Sequence, residues 1–258
     1  MQASSHSRST DRDDRVSNMR YWNQSNFEGL KSIGEQYADR SGFAAFSRYC
    51  LLAEKGLRKP ALAAAREFIT GMEARPVTQQ RACAEELTAL SYRHAEVHRL
   101  LPHPLRMSLK AILQQWTDAE PDNPIPWKWL GYLVMDLEAS RRAHELDPGD
   151  EISLGALFGE QLNQVDFQTH HLCESCFLGE ESEAEQALDR AESLLAYLEN
   201  EDKRAACRRE VDYFRDLLAA WRDYTSTERE ETFPRWCEKQ EGGKQGKSFR
   251  FWSIHYYR

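Results

Sequence analysis

Eight histidines and six cysteines are the residues of this chain best able to hold a metal or attack a carbonyl, so their spacing comes first. HAEVH places His94 and His98 four apart, the interval that brings two imidazoles onto one helical face. A zinc protease of the H-E-x-x-H type also needs glutamate directly after the first histidine. Here Ala95 stands in that place and Glu96 follows, turned about 100° round a helix. The reading is two partly exposed histidines on an amphipathic helix. HHLCESC offers His170, Cys173 and Cys176 as three ligands from a loop, with Cys207, Cys237 or His255 as a fourth. Structural zinc sites pair two such motifs, and the chain has no second C-x-x-C. Buried thiols beside a hydrogen-bonded histidine pair are expected instead.

Two further patterns imitate chemistry. EGGKQGKSF resembles a phosphate loop, but Glu241 stands where the pattern needs glycine and only ten residues follow Ser248. It reads as a flexible basic linker. Cys50, His94 and an acid make a conceivable nucleophilic triad, yet no local sequence marks them. No catalytic residue, metal or cofactor is expected.

The elements that would position these groups are helical almost throughout. Only 13 glycines and 9 prolines occur in 258 residues. Helices are expected over 27–40, 44–56, 60–72, 77–101, 104–120, 126–146, 151–162, 182–200 and 202–224, joined mostly by short turns. Asp147-Pro148-Gly149 breaks one helix, and Asp150 is placed to cap the next. Apolar residues then recur three or four apart on single faces: Leu154 and Leu157, Ala61 and Ala65, and the small-large-small set Ala184, Leu188 and Ala191. The fold class expected is all-α, stacked antiparallel helix pairs in an α-solenoid-like arrangement. A disordered arm over 1–20 and a single helical domain over 21–258 complete the organisation, ending in a short extended aromatic segment, SFRFWSIHYYR.

Trp127, Leu130 and Gly131 fit a W-x-x-L-G start, and Leu146, Asp147 and Pro148 an L-D-P end. In these residues the chain resembles tetratricopeptide-like repeats over roughly 40–200, in degenerate form, since the two signatures lie closer than a full repeat of about 34 residues allows. The resemblance implies stacked helix pairs and a tendency to bind proteins or peptides. THHLCESCFLGEESEAEQAL is also similar to part of an uncharacterised bacterial helical family, of the toxin-immunity type.

Net charge is −8, unevenly spread. Residues 1–117 hold 17 Lys+Arg against 12 Asp+Glu, residues 118–185 hold 3 against 16, and the remainder 14 against 14. An acidic block of that density repels nucleic acid and would steer a basic protein partner. Its candidate contacts are Asp147, Asp150, Glu151, Asp166, Glu174, Glu180, Glu181, Glu183 and Glu185. No stretch is long and apolar enough to span a membrane, and the first twenty residues lack the apolar run of a secretory signal. A cytoplasmic location is expected.

The function expected is therefore non-catalytic protein binding, in its concrete form a bacterial immunity protein (antitoxin) that occludes a basic toxin such as a nuclease. One alternative is a tetratricopeptide-like adaptor or chaperone cradling a peptide in a helical groove. The other is a zinc-dependent enzyme or zinc-stabilised protein built on His94 and His98, or on His170, Cys173 and Cys176.

Overall fold

The turn at Asp147–Asp150 does what its residues dictate. The Asp150 carboxylate accepts the Ser153 backbone N–H at 2.8 Å and the Ser153 hydroxyl at 2.7 Å, so a new helix starts there. The same logic repeats along a computed structural model that describes residues 23–228, 230–241 and 249. Asn123, Asp136 and Asn200 each cap a following helix through the side chain.

Among the described residues there are eleven α-helices and no strand, so the chain is all-α. They are α1 (Gln24–Gln36), α2 (Ala44–Glu54), α3 (Arg58–Glu73), α4 (Val77–Arg93), α5 (His103–Ala119), α6 (Pro124–Val134), α7 (Leu137–Leu146), α8 (Glu151–Thr169), α9 (Glu181–Leu194), α10 (Glu201–Thr225) and α11 (Phe233–Glu241). The chain divides into two compact units, Met1–Pro76 with Leu90–Arg106, and Val77–Ala89 with Met107–Arg258.

In the first unit α1, α2 and α3 pack in sequence. Gly34 makes the first contact possible: a Cβ there would stand 2.8 Å from Leu51, and the Gly34 carbonyl accepts the buried Ser47 hydroxyl at 2.6 Å. Tyr37, Phe43, Phe46 and Phe68 form an aromatic centre, with the Arg40 guanidinium 4.7 Å from the Phe43 ring. The expected helix over 77–101 ends earlier, at Arg93, and residues 94–99 turn back instead of continuing it. That turn is fixed from both sides. The Arg99 N–H donates to the Asn26 side-chain oxygen at 3.0 Å, and the Tyr49 hydroxyl donates to the Arg99 carbonyl.

In the second unit the stretch 126–146 is two helices, not one. Met135, left-handed at φ 54°, and Asp136 break it into the hairpin α6–α7. Gly131 lets the pair close: its Cβ would meet the Ser140 hydroxyl at 2.5 Å and the Ser140 backbone nitrogen at 3.1 Å. The second core lies between α8, α9, α10 and α11. The alternation of small and large residues on α9 sets Ala184, Ala187, Leu188 and Ala191 against Val211, Phe214, Leu218 and Trp221 of α10. Helix α11, which periodicity did not reveal, adds Phe233, Trp236 and Cys237 to that core. The Phe233 N–H donates to the Ser175 hydroxyl at 2.8 Å, tying α11 to the turn after α8. The arm over 1–20 lies outside the described residues, as does the aromatic C-terminal segment except Phe249, which packs beside Tyr213.

Candidate functional site

The nine acidic residues separate into two groups by what surrounds them. Five have partners within the second unit. Asp150 caps α8 and lies 3.3 Å from the Lys128 ammonium. Glu151 meets Lys203 at 2.5 Å, and Glu183 accepts the Gln168 amide at 3.2 Å. Glu181 and Glu185 share one guanidinium, Arg222, at 2.9 and 2.5 Å, and those two bonds hold the Arg222 pKa above its usual value. Asp189 and Glu192 are likewise taken up by Arg215, and Glu192 also by Arg208. Part of the acidic block is thus answered in space by the basic face of α10, Glu151 by Lys203 and Glu181 and Glu185 by Arg222. Sequence counting missed this because the compensating arginines begin some twenty residues beyond the block.

The other four are Asp147, Asp166, Glu174 and Glu180, all exposed and none with a Lys or Arg partner among the described residues. Asp147 sits at the end of α7. Asp166, Glu174 and Glu180 belong to three consecutive pieces of chain: the last turn of α8, the short 3-10 turn Leu172–Glu174, and the residue preceding α9. The backbone draws these pieces to one end of the α8–α9 pair, where the Leu178 N–H donates to the Gln168 carbonyl at 2.9 Å. An aromatic group stands among them. Phe167 is 64% exposed. Its ring lies 5.5 Å from His170, whose own ring lies 4.1 Å from His171. His171 is 3.5 Å from the Glu174 carboxylate.

The metal candidates are not brought together. The Cys173 thiol faces the His170 carbonyl at 3.7 Å, and the Cys176 thiol faces the Phe177 carbonyl at 3.9 Å. His94 closes α4 and contacts Glu96 at 3.4 Å, so the shortened helix removes the shared face that four-residue spacing implied for His94 and His98. Among the described residues no group of three His, Cys, Asp or Glu side chains is placed to hold a metal ion. No helix among them is long and apolar enough to cross a membrane.

Comparison with family models, with curated proteins and with solved structures gives no match to this chain.

Proposed function

We propose that this chain is a non-catalytic protein-binding protein that engages a basic partner through the α8–α9 end of its second unit. Its concrete form is a bacterial immunity protein neutralising a cationic toxin such as a nuclease. The observation that carries the reading is Phe167, a phenylalanine 64% exposed beside acids that no Lys or Arg of the described chain neutralises. Aromatic side chains are enriched at the centre of protein interfaces and the rim is polar, and an exposed Phe167 among exposed acids matches that anatomy. Unpaired carboxylates in the rim favour arginines and lysines in the partner and raise the association rate. Nucleic acid is repelled by the same charges.

The test is co-purification of the tagged chain from its own cells, with Phe167→Ala as comparison. Recovery of one basic protein at fixed stoichiometry, lost with Phe167→Ala while the variant melts as the parent does, is the expected result. Recovery of no basic protein, or recovery indifferent to Phe167→Ala, would overturn the reading.

A further inference from the structure

The first unit carries the opposite chemistry. An open cleft of about 750 Å³ lies between α2, the start of α3, the 94–102 turn and the start of α5. Every residue lining it belongs to this unit. Three arginines, Arg58, Arg99 and Arg106, and two histidines, His98 and His103, line it, and the described lining holds no Asp or Glu. None of those five side chains has a hydrogen-bond or ion-pair partner among the described residues. Residues 1–117, which contain the whole lining, hold 17 Lys+Arg but also 12 Asp+Glu, and none of those acids lines the cleft.

The arrangement also runs against helix electrostatics. The positive end of a helix dipole favours acids in the first turn. Yet α3 opens on Arg58 and Lys59, α5 places His103 and Arg106 in its opening residues, and neither first turn contains an acid. Two helix starts and three guanidinium groups therefore hold like charge round one volume, a cost that an anion would remove.

The cleft is built rather than incidental. Tyr49 and Asn26 pin the Arg99 backbone from opposite sides and leave its side chain to the cleft. Burial drives the Tyr49 pKa above its usual value, so this hydroxyl keeps the proton it donates. Pro102 and Pro104 fix φ on both flanks of His103, so α5 enters in one conformation. Ala53, Ala61 and Leu62 supply an apolar wall within the same lining.

We infer that this cleft binds a small phosphate-bearing molecule of nucleotide size, its phosphates held by Arg58, Arg99 and Arg106 and its flat apolar body against the alanine–leucine wall. Guanidinium matches phosphate oxygens in bidentate geometry, and the volume lies within the range of small-molecule sites. The inference is independent of the protein-binding surface, which lies in the other unit.

The full chain is titrated calorimetrically in phosphate-free, low-salt buffer with ADP, pyrophosphate, adenosine and a short glutamate peptide. ADP should saturate at one per chain, pyrophosphate should compete with it, and adenosine should not bind. The double variant Arg58→Gln/Arg106→Gln should weaken ADP by about tenfold or more, while Arg66→Gln, on the exposed face of α3, should leave it unchanged. Without ligand the double variant should melt no lower than the parent, because it removes repulsion rather than a contact. No saturation by ADP or pyrophosphate, indifference to the double variant, or binding of adenosine equal to that of ADP would each overturn the assignment. So would a lowered melting temperature of the double variant, which would make those arginines structural. Saturation by the glutamate peptide alone would overturn it in favour of protein docking.

Discussion

The Arg215 guanidinium of α10 lies 2.8 Å from the Asp189 carboxylate of α9, and this pairing is typical of how the two helices meet at their surface. Arg208, Arg215 and Arg222 recur at intervals of seven along α10, so all three present one face to α9. Each meets acids there. Beneath that row the alanines of α9 let the helices approach, and the ion pairs close the seam above the core.

Removing one such pair should cost little. Arg215→Ala is expected to lower unfolding free energy by less than about 1 kcal/mol, because its partners are well exposed and solvent screens them. Urea denaturation at low and at 1 M salt should show the difference shrinking with salt. A loss of several kcal/mol, unchanged by salt, would mean that Arg215 contributes through packing instead.

Met135 should be replaceable with profit. It is left-handed at φ 54° and 87% exposed, so its side chain contributes no packing while its Cβ crowds the backbone. Met135→Gly is expected to stabilise the protein by about 0.5 to 1 kcal/mol, the relief of strain being partly offset by glycine's looser unfolded chain. Thermal unfolding measures it, and a fall in stability would contradict the strain.

Glu120 gives the protein an acid-sensitive contact. Its carboxylate accepts the Asn123 amide and the Trp116 indole N–H, each at 2.9 Å, and pairs with Arg81. Those bonds, the Asn123 one foremost, hold its pKa below the usual carboxylate range. A carboxylate with a depressed folded pKa lends stability above its unfolded pKa and loses it as pH falls through the folded value. Glu120→Gln should therefore be less stable than the parent at pH 7, and the two should converge as the solution is acidified below the usual carboxylate range. A gap independent of pH would remove the charge from the explanation.

Thiol labelling should follow burial. Cys176 is exposed, Cys173 and Cys207 are half-buried, and Cys50, Cys83 and Cys237 are buried. Burial also raises the Cys50 and Cys207 thiol pKa values, which disfavours the reactive thiolate. Iodoacetamide should modify Cys176 first, and Cys50, Cys83 and Cys237 only once the protein unfolds. Early labelling of Cys237 would show that α11 leaves the core readily.

The fold was largely legible because helical periodicity and cap chemistry are local: Asp150, Leu154 and Leu157 act where the sequence puts them. What escaped depended on contacts remote in sequence. Helix α11 is short, and its apolar residues declare a face only against α10 and the Ser175 turn. The early end of α4 is set by Asn26 and Tyr49, more than forty residues away from the turn they hold. Charge was the least legible property. Counting along the chain found the acidic block, but only packing separates carboxylates held by α10 from those left to solvent. The cationic cleft is gathered from Arg58, His98, Arg99, His103 and Arg106, no run of which stands out as basic.

That separation gives the protein-binding reading its sharpest test. Asp166, Glu174 and Glu180 are exposed without a Lys or Arg partner, whereas Glu181 and Glu185 hold Arg222. Reversing the first three to lysine should leave the melting temperature nearly unchanged, since no arginine or lysine is released and the Glu174 contact with His171 is long and half-exposed. It should slow association with a basic partner, most strongly at low salt, where steering is least screened. Reversing Glu181 and Glu185 instead should lower stability through like-charge contact with Arg222, whatever it does to binding. Stopped-flow association rates measured against salt, beside melting curves, resolve the two effects. A partner whose association rate ignores salt and the first triple reversal would remove charge from the interface and leave Phe167 to anchor it by burial alone.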